Sequence, residues 1–129
     1  MERGVVIVAG FGFRAAAEVC SLSDALDRAA RGREVQLLAT AADKARAPAF
    51  RILAETLELP VMELDGKILQ SVVTSTYSTF SLAARGTGSL AEAAALAAAG
   101  QGARLIAQRV VSADRMATCA LAETTGEDT

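Results

Sequence analysis

Short apolar runs alternate along this chain with segments whose apolar residues recur at helical spacing. Val5-Val6-Ile7-Val8-Ala9 is a mostly β-branched run ending at Gly10, the pattern of a strand buried on both faces. A glycine-rich loop follows. Leu22, Ala25, Leu26 and Ala29 then share one helical face, in a helix that the pattern starts at Ser21, with Asp24 in its first turn, and ends at Gly32. Val35 to Ala39 predicts a second strand. Ala47 to Leu59 predicts a second helix, with Pro48 in its first turn and Pro60 as its stop. Val61 to Leu64 is a short third strand, and Asp65-Gly66 opens a turn towards Ile68 and Leu69.

Between Ser71 and Ser81 seven of eleven residues are Ser or Thr, which fits either an exposed strand or a hydroxyl-lined loop. Gly86-Thr87-Gly88 leads into a helix from Ser89 to Gly100 that has almost no large side chains, so another element can approach its backbone closely. Ala103 to Val111 and Met116 to Ala122 read as two final strands, joined by a turn at Ser112-Ala113-Asp114. The order predicts a single α/β domain over residues 1–122, three α/β/α layers around a mixed, mostly parallel sheet of about five strands. Residues 123–129, with Glu123, Glu127 and Asp128, read as a disordered polar tail.

Composition narrows the chemistry. The 129 residues include 29 alanines and no histidine or tryptophan, which excludes Ser-His-Asp and Cys-His triads, an HExxH zinc site and an imidazole base. Cys20 and Cys119 lie too far apart for any CxxC spacing, so no metal site is expected, and the sequence points to no cofactor. The net charge is −2; without the three acids of the tail, thirteen basic residues face twelve acidic ones. That is no footprint for nucleic acid. The apolar stretches are too short for a membrane span, and the first residues are too short for a signal peptide, so a cytoplasmic protein with reduced thiols is expected. Cys119 reads as a small buried hydrophobe and Cys20, before a helix, as a weak candidate for a reactive thiol.

Three loops carry candidate chemistry. Gly10-Phe11-Gly12-Phe13-Arg14-Ala15 has the G-x-G-x-x-A pattern of a dinucleotide loop, but no acidic residue ends the second strand and the helix starts late, so a tight turn or another ligand loop fits better. Arg14 would place a cation beside exposed amides; Phe11 and Phe13 would offer apolar faces or seal the sheet end. In the second loop Thr40 and Asp43 have capping spacing, while Lys44, like Arg14, follows a strand end where the crevice of an open α/β sheet forms. In the third, Ser89 and Glu92 form a capping box, with Glu92 bonding back to the Ser89 amide. Alternatively, Gly86, Thr87, Gly88 and Ser89 present free amides to an anion at a helix N-terminus, with Arg85 adding charge. Glu92 and Lys44 are then the candidates for an acid or base and an electrostatic stabiliser.

Four segments taken in order, Val-Ala-Gly-Phe-Gly-Phe-Arg (8–14), Leu-Ala-Thr-Ala-Ala-Asp-Lys-Ala (38–45), Gly-Thr-Gly-Ser-Leu-Ala-Glu-Ala-Ala-Ala-Leu (86–96) and Ala-Thr-Cys-Ala-Leu-Ala (117–122), resemble the CobE/CbiG C-terminal domain family of cobalamin biosynthesis. The resemblance spans about Gly4 to Ala122, and the Phe-Gly-Phe-Arg loop is more similar to the stand-alone CobE form. It implies a place in aerobic, late-cobalt corrin synthesis, with a precorrin or hydrogenobyrinic-acid-type tetrapyrrole as ligand. In CbiG the whole protein opens a δ-lactone and releases acetaldehyde; the N-terminal parts of CbiG have no counterpart in these residues, so that activity is not carried over. A precorrin is an apolar macrocycle edged with carboxylates. Gly10, Gly12, Arg14, Thr40, Lys44, the 86–89 amides, Glu92 and the hydroxyl run 74–79 match that inventory, with each charge-assisted hydrogen bond worth ~1.5–3 kcal/mol at best. Binding is the expected function. The alternatives are a hydrolase-type enzyme acting on precorrin-5 and a scaffold that docks on pathway methyltransferases through helix 89–99. The absence of histidine favours binding.

Overall fold

The computed structural model describes residues 6–72, 74 and 89–124. Among the described residues, five strands and four helices follow one another as β1 (Val6–Phe13), α1 (Val19–Ala30), β2 (Leu37–Ala41), α2 (Pro48–Leu57), β3 (Val61–Leu64), α3 (Gly66–Gln70), α4 (Leu90–Ala99), β4 (Arg104–Val111) and β5 (Ala117–Thr124). Their order across the sheet is β3-β2-β1-β5-β4. β1, β2 and β3 pair in parallel through helical crossovers, as parallel neighbours must. β5 is antiparallel to both β1 and β4, so β4 again runs in the direction of the first three.

The two faces differ in how they exclude water. On one, α1 and α2 bury Leu22, Leu26, Phe50 and Leu53 against Phe11, Leu38 and Leu121 of the sheet. On the other, α3 and α4 cover Val8, Ala39, Ala41 and Leu64 with Leu69, Leu90, Ala93 and Ala94. Small side chains bury little area each, so the second interface depends on close approach. The reason it can close is Gly10: a Cβ there would lie 2.1 Å from the Ala91 carbonyl oxygen and 2.4 Å from the Ala95 nitrogen. The helix backbone therefore rests directly on the strand.

Several boundaries moved from those the local pattern predicts. Residues 10–13 are strand, not loop: β5 pairs with β1 along its whole length, from Val6↔Thr124 to Phe13↔Ala117, and that distant ladder overrides the local glycines. α1 begins at Val19 with Glu18 as N-cap residue, and Ser21, expected as the start, instead accepts the Glu18 N–H at 3.2 Å. β2 lies two residues later than predicted. α2 stops at Leu57 because Glu58 adopts the left-handed conformation, φ 57°. The Asp65-Gly66 turn continues into α3, its N-cap carboxylate accepting the Lys67 N–H at 3.3 Å. β5 runs on through Glu123 and Thr124, two residues into the expected tail, because Thr124 pairs with Val6 and Glu123 bonds to Arg104 Nε at 2.7 Å. Residues 125–129 lie outside the described residues.

Candidate functional site

The C-terminal ends of β1, β2 and β3 define one edge of the sheet. The N-terminus of α4 reaches the same edge, since a Cβ on Gly12 would lie 3.4 Å from that of Leu90, while Val6, at the far end of β1, packs in the cluster that holds Ala97 and Ala98. Arg14, Lys44 and Ser89 are thus brought to one edge from three separate segments. Arg14 follows β1 directly, exposed, with its N–H donated to the Met116 carbonyl at 2.9 Å. Lys44 follows β2, and its Nζ lies 4.9 Å from the centre of the Phe13 ring, a cation over an aromatic face. Phe13 in turn stacks on Phe50 at 5.8 Å, and Phe11 meets Phe50 edge-on at 5.5 Å. Phe11 is wholly buried, so both phenylalanines seal the sheet end and Phe13 also seats Lys44.

Other predicted residues have structural contacts. Thr40 lies inside β2 rather than at a helix cap; it is buried, and its hydroxyl donates to the Phe11 carbonyl at 2.8 Å, tying β1 to β2. The cap residue of α2 is Ala47, so the Thr40–Asp43 spacing starts no helix. Gly10 and Gly12 make room for α4. Ser89 caps α4, accepting the Glu92 N–H at 3.2 Å, which is the Ser89 half of the predicted capping box. Glu92 itself is fully buried, and its carboxylate accepts the Arg109 N–H of β4 at 2.9 Å. That amide is available because β4 carries a register shift between Ala107 and Val110. Gly86, Thr87 and Gly88, with Arg85 and residues 75–79 of the hydroxyl run, lie outside the described residues; Thr74 is buried.

Two arrangements have no signal in the local sequence. Thr118 of β5 donates its hydroxyl to the Gly12 carbonyl at 3.1 Å, adding a polar side chain to the same edge. Beside it, Asp114 in the β4–β5 turn accepts the Ser21 hydroxyl at 2.6 Å and the Ser112 hydroxyl at 2.5 Å, and Asp24 accepts the Ala113 N–H at 2.7 Å. These bonds fasten the start of α1 to the hairpin. They hold both carboxyls below the usual range: for Asp24 mainly through the Ala113 N–H, for Asp114 mainly through the Ser112 and then the Ser21 hydroxyl. The partners are 89 and 93 positions apart in sequence, so only the fold reveals them.

Cys119 is buried and its thiol pKa is pushed up by loss of solvent, as suits a small core residue; Cys20 is exposed. Among the described residues no three His, Cys, Asp or Glu side chains gather as a metal would need, and no helix is long and apolar enough to cross a membrane.

The protein is a three-layer α/β domain with a β3-β2-β1-β5-β4 sheet, and Arg14, Lys44 and a capped, alanine-rich helix meet at one sheet edge. Residues 7–122 match the family described as Cobalamin synthesis G C-terminus, and the chain belongs to that family. It resembles the crystal structure of CobE, a protein from the cobalamin (vitamin B12) biosynthetic pathway, with TM-score 0.85 and 32% identity over 96% of this chain and 94% of that one. It also resembles the cobalamin biosynthesis protein chiG from Agrobacterium tumefaciens str. C58, with TM-score 0.71 and 41% identity over 91% of this chain and 97% of that one. A protein described as a cobalamin biosynthesis protein G homologue from Sulfolobus solfataricus shares the fold at TM-score 0.69 and 16% identity, over 92% of this chain and 37% of that one. No curated sequence matches the chain. The chain is a cobalamin biosynthesis pathway protein.

Proposed function

We propose that this protein binds a precorrin or hydrogenobyrinic-acid-type tetrapyrrole in the cytoplasm, at the C-terminal edge of its sheet. The observation that carries the reading is the convergence of Arg14, Lys44 and the capped N-terminus of α4 on that edge. Crevices outside the carboxyl ends of parallel strands are where open α/β sheets bind ligands. Arg14 is suited to a carboxylate fork, and Lys44, steadied over Phe13, to a second carboxylate.

The enzyme reading, on precorrin-5, gains no support from Glu92, whose buried carboxylate is bonded to a backbone amide and supports β4. Docking of pathway methyltransferases through the alanine-rich helix would need another surface, since residues Leu90–Ala95 of α4 are buried within the chain.

Titration of the purified protein with hydrogenobyrinic acid, followed by visible absorption, tests the proposal. A saturable spectral shift, weakened about tenfold by Arg14→Ala, is expected; losing one charge-assisted contact of ~1.4 kcal/mol gives that factor. Acetaldehyde release on incubation with precorrin-5 would establish the enzyme reading instead. A flat titration with both tetrapyrroles would overturn binding altogether.

A further inference from the structure

The other end of α1 carries a second feature. A cavity of about 670 Å³ opens between the last turn of α1, the segment after it and the edge strand β4. Four arginines line it, Arg28, Arg31, Arg33 and Arg109, together with apolar Ile106 and Val110, and no Asp or Glu is among the lining residues. In a chain of net charge −2 this is a local concentration, not a reflection of composition. Cations near a helix C-terminus offset its dipole, which accounts for Arg28. That does not account for Arg33, beyond the helix, or for Arg109, which comes from a strand.

Three of these arginines have a defined place in the fold, through the side chain of Arg28 and the backbone of Arg31 and Arg109. Arg28 pairs with Asp24 at 2.9 Å. Arg31 occupies the left-handed position that closes α1, φ 49°, where glycine is the usual residue. Arg109 sits at the irregular stretch of β4 whose N–H is gripped by Glu92. Asp24 offsets part of this charge at Arg28, and guanidinium forks match carboxylates in pairs. A cavity of this volume lies within the range of ligand sites.

We infer that this arginine-lined cavity is a binding site for a polycarboxylate with an apolar body, separate from the Arg14 edge. α1 spans twelve residues between the two, about 18 Å at 1.5 Å per residue. The carboxylates take the arginines and the apolar body lies on Ile106 and Val110. Anion binding here does not rest on the function proposed above; only the choice of a tetrapyrrole as probe does.

The test uses coproporphyrin, four carboxylates on an apolar macrocycle, with citrate as a carboxylate lacking such a body. Binding to the wild-type chain is measured by fluorescence titration at 50 mM and 200 mM salt. Saturable binding that weakens with salt and falls tenfold or more in the R31S/R33S/R109S variant, in the wild-type and in the Arg14→Ala background alike, supports the site. Arg31 and Arg33 are both exposed, so the double variant R31S/R33S keeps the test valid if Arg109 proves necessary for folding. Binding within twofold of wild type in that folded double variant overturns the inference, as does absence of coproporphyrin binding. Displacement by citrate at equal concentration overturns the part assigned to the apolar walls. If hydrogenobyrinic acid binds and is weakened by Arg14→Ala but not by the arginine variants, this inference falls while the proposed function stands.

Discussion

Replacing Gly10 with alanine adds one methyl group at the point where strand and helix touch. Its carbon would stand 2.1 Å from the Ala91 oxygen, 2.4 Å from the Ala95 nitrogen and 3.0 Å from the Ala95 Cα. All three are backbone atoms, so no side chain can turn away, and α4 must retreat by about 1 Å to restore ordinary contact. A radial gap of about 1 Å forfeits a quarter to a half of each dispersion contact across it. The loss falls on Leu90, Ala91, Ala93, Ala94 and Ala95, all buried against the sheet. Overpacking of this kind costs about 1–3 kcal/mol, and a backbone obstacle places Gly10→Ala at the upper end. Alanine's better strand propensity returns about 0.5–1 kcal/mol. The expected net loss is about 2 kcal/mol or more, which lowers Tm by roughly 5–15 °C. Urea unfolding followed by circular dichroism gives the number, and Gly12→Ala is the control. There the added carbon meets the Thr118 Oγ1 at 3.0 Å and the Leu90 Cβ at 3.4 Å, side-chain atoms that can shift by tenths of an ångström, so the cost stays below about 1 kcal/mol. A Gly10→Ala protein within about 0.5 kcal/mol of wild type, or one no less stable than Gly12→Ala, would refute the reasoning.

Glu92→Ala removes the acceptor for the Arg109 N–H and should cost about 2–3 kcal/mol, whereas Glu92→Gln, which can still accept, should cost about 1 kcal/mol; faster hydrogen exchange at the Arg109 amide in the alanine variant alone is the accompanying readout. Asp24 and Asp114 have depressed carboxyl pKa values in the folded state, so the stability they contribute is present above the ordinary value near 4 and is lost as pH falls below it. Asp114→Asn should therefore lower stability at pH 7 and flatten the decline between about pH 5 and pH 2 in thermal melts, and an unchanged acid limb would count against the α1–hairpin bonds. Glu58→Gly should raise stability by about 0.5 kcal/mol, since a non-glycine residue in the left-handed region costs about 1–2 kcal/mol and glycine's freedom in the unfolded chain takes part of that back. A Tm below that of wild type would show that Glu58 makes compensating contacts.

The chain's own pattern determined its strands, its three longer helices and their order, while α3 reads locally as a turn. The β-branched run at 5–9, the helical spacing from Leu22 to Ala29, Pro48 and Pro60 around α2 and the Ser89 cap are short-range signals, and each produced its element within a few residues. The same holds for the family, whose four segments are contiguous stretches of sequence. Only the tertiary structure decided what those elements do to one another. The glycines at 10 and 12 look locally like a loop; they are strand because β5, more than a hundred positions away, supplies the hydrogen bonds, and Gly10 in particular is there for α4. Glu92 reads locally as half of a capping box, yet its carboxylate supports an irregular strand that only the fold places beside it. Thr40, read as a cap, bonds a neighbouring strand. Arg28, Arg31, Arg33 and Arg109 meet around one cavity because α1 lies against the β4 edge, which no spacing in the sequence encodes. The physical reason is common to all four: propensity and capping act over a few residues, while ladder pairing, close packing and charge clustering depend on contacts that exist only after the chain has closed on itself.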